Sequence, residues 1–151
     1  MVSELSTVDF VKEVARICGW KGKKDKKDRE FLHDLKEAME KWDNIPNKKV
    51  LEDAENIIKN HIGYKCNYLF FVNIREPKGI ESFSQLVMEN GYEKPFKILI
   101  ESNMSSNEVD SIVQEIKSIK YDKIYKNNGT LKDLANTAGE FLEEIIHARR
   151  Y

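Results

Sequence analysis

Cysteine is scarce in this chain. Cys18 and Cys66 are its only two, too few and too poorly spaced for a disulfide framework or a zinc site. Each is expected in the core as a small hydrophobe, in a reducing compartment. Proline (three) and glycine (seven) are sparse too, which argues against disordered and low-complexity architectures. Neither charge sign dominates, with 25 Lys and Arg against 26 Asp and Glu. No global field therefore draws the chain to nucleic acid or to an anionic membrane, and basic residues are not interleaved with aromatics as a single-strand binder needs. Nucleic acid and membrane are accordingly not expected partners. No apolar run approaches membrane-spanning length, and the first residues lack the basic and apolar regions of a signal peptide. The expected location is the cytoplasm. His33, His61 and His147 stand without metal-ligand spacing, and no Ser or Cys lies in a recognisable nucleophile turn. No catalytic residue and no metal site is assigned.

What is present describes a helix-rich α/β domain. Forty per cent of residues are hydrophobic and 34% charged, and 151 residues form one domain large enough to bury a core. The organising stretch is 68–91. An apolar run rich in aromatic and β-branched residues ends at Arg75, and Pro77 opens a helix carrying Ile80, Phe83, Leu86 and Val87 at helical spacing. A charged Arg75-Glu76 pair at the carboxyl end of a strand is where α/β proteins place ligands, although solvation alone also explains charge in such a turn. Upstream, residues 2–5 are expected as a short strand. Ser6 and Thr7 then cap a helix with Phe10, Val11, Val14, Ala15 and Ile17, ended by Gly19. A charge-dense segment over 20–29 leads into a helix whose Phe31, Leu32, Leu35, Ala38, Met39 and Trp42 form an apolar face. Pro46 breaks it. A third helix carries Val50, Leu51, Ala54, Ile57, Ile58 and Ile62 and closes at Gly63.

Downstream, residues 96–100 are expected as a second buried strand and 122–125 as a weaker third. Between them a helix carries Val109, Ile112, Val113, Ile116 and Ile119. Thr130 and Asp133 make a capping box before a last helix with Leu131, Leu134, Ala138, Phe141, Leu142 and Ile145 inward. Strands alternating with helices predict a three-layer α/β/α fold on a mostly parallel sheet of three to four strands.

Several segments resemble the nucleoside and deoxynucleoside monophosphate kinases of the adenylate-kinase-like P-loop group, phage and clostridial members above all. Ser6-Thr7-Val8-Asp9-Phe10-Val11-Lys12 is similar to the segment opening that family's monophosphate-binding helix. Gly19-Trp20-Lys21-Gly22-Lys23-Lys24-Asp25, followed by Arg29 and Leu32, resembles its Gly-Trp-x-Gly-x-Lys-Asp run. Ile74-Arg75-Glu76-Pro77 matches the end of its third strand. Tyr121-Asp122 and Asn127-Asn128-Gly129-Thr130-Leu131 resemble its late signature. The resemblance spans residues 6–142. It implies that Arg29 and Arg75 grip the phosphate of an acceptor monophosphate, a task suited to a guanidinium fork, with Asp9 and Lys12 bordering the site. It also implies that Asn128 and Gly129 lie near the adenine of a donor nucleotide. A solvated cation at a helix start would equally explain Arg29, and a turn before a capped helix would explain Asn128 and Gly129.

The catalytic half of the pattern is absent. Phosphoryl transfer needs a P-loop, its lysine and a magnesium ion, and the chain holds no Gly-x-x-x-x-Gly-Lys; no two of its glycines stand five positions apart. After Arg75 no arginine occurs until Arg149, so donor-clamping lid arginines have no counterpart. The reading is therefore a single kinase-like domain over 1–151 that is truncated, missing the family's first strand. It binds a nucleotide or a nucleoside monophosphate, with ATP and Mg2+ entering only if a P-loop is supplied. One alternative is an active monophosphate kinase whose P-loop lies upstream of the given sequence. Another is a non-catalytic interaction module using the helical face around Phe31, Leu35 and Trp42, although burial in the core is the expectation for that stripe, since its periodicity is what any buried helix shows. The family's first strand lies mid-sheet, so its loss leaves a gap of roughly 9 to 10 Å. Direct pairing of the flanking strands would close that gap; a further upstream segment would fill it; a second copy of the chain in a homo-oligomer would cover the exposed edges.

Overall fold

The computed structural model describes residues 1–61, 67–102, 116, 118–127 and 129–148. The chain forms two compact units, Met1–Pro95 and Phe96–Tyr151. No helix among the described residues is long and apolar enough to cross a membrane.

The first unit runs β1 (Val2–Ser6), α1 (Thr7–Ile17), α2 (Lys26–Asp43), α3 (Ile45–Asn60), β2 (Leu69–Asn73) and α4 (Pro77–Glu89). Each start has a local cause. The Ser6 hydroxyl accepts from the Val8 amide at the head of α1, and the Asp25 carboxylate accepts from the Asp28 amide at the head of α2, each satisfying a donor the helix leaves free. Asn44, at φ 51°, ends α2 in the left-handed conformation and at once precedes α3, whose Pro46 sits in the first turn, where no amide is needed. Proline thus opens this helix where the sequence suggested only a break. Pro77 does the same for α4.

β1 and β2 pair in parallel, Val2 beside Leu69 through Ser6 beside Asn73. Val50, Phe83 and Val87 form the core, with Leu5, Leu51, Val72 and Ile74 packed against it. α1 packs on α2 and α3, and α3 on α4.

Two expectations fail in this unit. The α2 face was expected to be buried at Phe31, Ala38 and Trp42, yet Trp42 is 83% exposed and Phe31 37%, and Ala38 is exposed. The covered stripe runs instead through Leu32, Leu35, Lys36 and Met39. At 100° per residue, Phe31, Ala38 and Trp42 fall about 70° to 110° to one side of it. Cys18, expected in the core, is exposed, because it caps α1 just beyond Ile17, itself exposed. Cys66, Ile62 and Gly63 lie outside the described residues.

The second unit contains β3 (Ile98–Ser102), β4 (Lys123–Asn127) and α5 (Leu131–Ala148). β3 and β4 are parallel, Ile98 beside Lys123 through Ser102 beside Asn127. Phe141 of α5 is buried; the Tyr125 ring meets it edge-on at 5.4 Å and the Phe96 ring lies 6.1 Å away. The capping box forms as expected: the Asp133 carboxylate accepts from the Thr130 amide at 2.8 Å, and the Thr130 hydroxyl accepts from the Asp133 amide at 3.3 Å. β3 is less buried than its apolar run suggests, with Ile100 62% exposed. Continuous apolar runs mark burial only where both faces of a sheet are covered, and at Ile100 one face is not. Of the helix expected over 109–119, residues 109–115 and 117 lie outside the described set; 116 and 118 are helical.

The α/β class and the parallel strand pairing are thus as expected. Direct pairing of β2 with β3 is not among the ladders: β2 pairs with β1, and β3 with β4.

Candidate anion site at the strand ends

Parallel pairing puts the carboxyl ends of β1 and β2 side by side, since Ser6 aligns with Asn73. β1 runs directly into α1, whose first turn carries Asp9. β2 runs into Ile74, Arg75 and Glu76, the last being the N-cap of α4. Two of the expected positions, Asp9 and Arg75, therefore follow adjacent strand ends, the position at which α/β sheets bind ligands. Asp9 and Lys12 pair with each other, carboxylate to ammonium, at 3.2 Å on the exposed side of α1; such a pair contributes little to stability.

Arg29 is exposed and lies in the first turn of α2. The loop before it is ordered by polar contacts. The Trp20 indole N–H donates to the Asp28 carboxylate at 3.1 Å, and the Arg16 guanidinium stands 5.7 Å over the Trp20 ring. Gly19 and Gly22, at φ 96° and 80°, take left-handed turns there that other residues resist. The Gly-Trp-Lys-Gly segment thus has a backbone reason for its glycines.

Arg75 is also exposed. The residue after it is anchored: the Glu76 carboxylate accepts a hydrogen bond from the Lys36 ammonium, and Lys36 also lies 3.5 Å from Glu40. Lys36 is only 5% exposed. Burial by itself would raise the Glu76 carboxyl, but the hydrogen bond and charge of Lys36, with the charge of Arg75, outweigh it and hold that carboxyl below its ordinary value. Sequence reasoning singled out Glu76 without a role and passed over Lys36. Its signal was a lysine within the covered stripe, four residues after Leu32 and three before Met39.

Behind this turn, Gly79 of α4 packs so closely on β2's end that an added Cβ would stand 2.9 Å from Ile74 Cγ2. The short approach seats the first turn of α4 against Ile74, next to Arg75.

In the second unit, Gly129 is exposed, and a Cβ there would stand 2.7 Å from the Asp133 carboxylate. This glycine makes room for the capping box. Asn128 lies outside the described residues.

Two other features stand apart from these positions. A cavity of about 360 Å³ in the first unit is lined by Phe10, Ile45, Lys48, Lys49 and Glu52. Its lysines are engaged: Lys49 with Glu52 and Asp53, Lys48 with Asp43. His33, Asp34 and Glu37 on α2 can bring ligand atoms within 4.8 Å of one another, but all three are exposed and Glu37 is paired with Lys41 at 2.9 Å.

No family model matches the chain, nor does any curated protein or any solved structure.

Proposed function

We propose that the chain is a nucleoside-monophosphate-kinase-like protein that binds a nucleotide or nucleoside monophosphate, Arg29 and Arg75 holding its phosphate, and that in this form it does not transfer phosphoryl groups efficiently. The observation that carries this reading is the strand pairing. In the resembled family the first strand is central to the sheet, and removing a central strand leaves two separate parallel pairs. The chain forms two such pairs, β1 with β2 and β3 with β4. The position of Arg75, directly past the end of a parallel strand and before a Pro-initiated helix, further supports it. Three-layer packing and a second copy covering the sheet edges belong to the same proposal. Residues 1–151 hold no Gly-x-x-x-x-Gly-Lys, so these residues supply no such cradle for a donor's phosphates.

Calorimetric titration with the common ribo- and deoxyribonucleoside 5′-monophosphates tests it. At least one should bind, and Arg75→Ala or Arg29→Ala should each weaken it about 10- to 100-fold, the loss of a hydrogen bond to a charged group. Absence of binding by every monophosphate would overturn the proposal.

The exposure of Trp42 favours a second reading, an interaction module on α2. An aromatic ring left 83% in water is a common anchor of protein interfaces, and a Trp42→Ala variant that captured the same partners as the unaltered chain would dismiss it.

A further inference from the structure

Lys36 is the one ionisable side chain in the buried class among the described residues, and its burial is not explained by stability. Taking an ammonium out of water costs about as much as its attraction to a carboxylate returns, and a methionine of similar length would fill the same space without that cost. What the pairing of a buried lysine with Glu76, whose side chain stays 40% exposed, does supply is a fixed geometry.

Here the geometry links two elements of the proposed phosphate site. Glu76 is the N-cap of α4, with extended backbone at φ −83° and ψ 130°, yet its side chain makes no capping hydrogen bond. It reaches to Lys36 instead. Arg75 is the adjacent residue. On α2, Arg29 precedes Lys36 by seven positions, which places the two within about 20° of one another around the helix and roughly 10 Å apart along it. The side of α2 that grips the Arg75 turn is therefore the side that carries Arg29.

We propose that Lys36 is a positioning residue for anion binding: by gripping Glu76 it fixes the backbone of Arg75 against α2, at a span from which Arg29 and Arg75 engage the same phosphate. This rests on the phosphate-binding reading above. Lys36 does not touch the ligand; it acts through Arg75.

The test is a double-mutant cycle, with inorganic phosphate as probe and chemical-shift titration as readout, alongside urea unfolding of each variant. Lys36→Met is expected to weaken phosphate roughly 10-fold and Lys36→Arg, which keeps a cation able to reach Glu76, to restore most of it. In the Arg75→Ala background Lys36→Met should cause little further loss, although its effect on urea unfolding should persist. A merely structural lysine would give the same loss in both backgrounds, and that result would overturn the proposal. So would unchanged phosphate affinity in Lys36→Met when Arg75→Ala binds weakly. Where only a nucleoside monophosphate binds, the cycle is read with that ligand; where neither it nor inorganic phosphate binds, the underlying reading falls, a separate outcome. Should Lys36→Met not fold, Glu76→Gln serves in its place, since it keeps an acceptor but loses the charge.

Discussion

Replacing Gly79 by alanine should destabilise the first unit, although alanine is the better helix former. In a helix the exchange normally stabilises by about 0.5–1 kcal/mol. At Gly79 the new methyl would stand 2.9 Å from Ile74 Cγ2, and Ile74 is held by the core of Val50, Phe83 and Val87, so it has little room to yield. Overpacking of this kind costs about 1–3 kcal/mol. The clash wins, and the net loss should be about 1–2 kcal/mol. Urea unfolding followed by tryptophan fluorescence measures it, because Trp20 and Trp42 both belong to the first unit; a midpoint lower by about 0.5–1.5 M is expected. Changing Ile74 to leucine removes the branch at Cβ while conserving volume, so Gly79→Ala should cost less in that background. A variant as stable as the parent, or one whose penalty ignored residue 74, would refute the close approach of α4 to the end of β2.

Acidification should weaken the first unit through Glu76. Its folded carboxyl lies below the ordinary 4.5, so its stabilising contribution is fully present above that value and is lost as pH falls from there through the folded value. Glu76→Gln should flatten the fall in the urea midpoint over that acid range, and an unchanged slope would contradict the pairing with Lys36. In the second unit, Thr130→Ala removes the hydroxyl that accepts from the Asp133 amide and should cost α5 about 0.5–2 kcal/mol, read as faster amide exchange at Leu134. Trp42→Ser should leave the unfolding free energy, read from the urea transition, within about 0.5 kcal/mol of the parent. Acrylamide should quench Trp42 more readily than half-buried Trp20, and the reverse order would contradict the placement of α2.

Much of the secondary structure was legible because its signals are local. Ser6, Pro77 and Thr130 start helices through hydrogen bonds or φ restrictions that span only a few residues, and each strand of the described residues overlaps the segment that suggested it; Asp25, the cap of α2, went unread in a charge-dense segment. Burial was harder to read, since it depends on which neighbour covers which side. The apolar residues of α2 extend around more of the helix than α1 and α3 cover, so Phe31 and Trp42 were assigned to a core they do not join. Ile100 shows the same effect in a strand. Within the site, Arg75 was visible from its place after an apolar run. Lys36 was not, because a lysine on a helix is ordinarily solvent-facing and only the tertiary partner, forty positions away in sequence at Glu76, gives it meaning.

The register of the first ladder also bears on the order in which the protein assembles. α2 and α3 are joined through Asn44 alone, so their contacts form from neighbouring chain and need little loop closure. The ladder brings Val2 beside Leu69, closing a loop that encloses all three of the first helices, and such distant contacts form late. The strand ends that frame Asp9 and Arg75 are therefore expected to come together after α2 has met α3, and the ligand binding proposed for them is what a partly folded chain would lose before those helices.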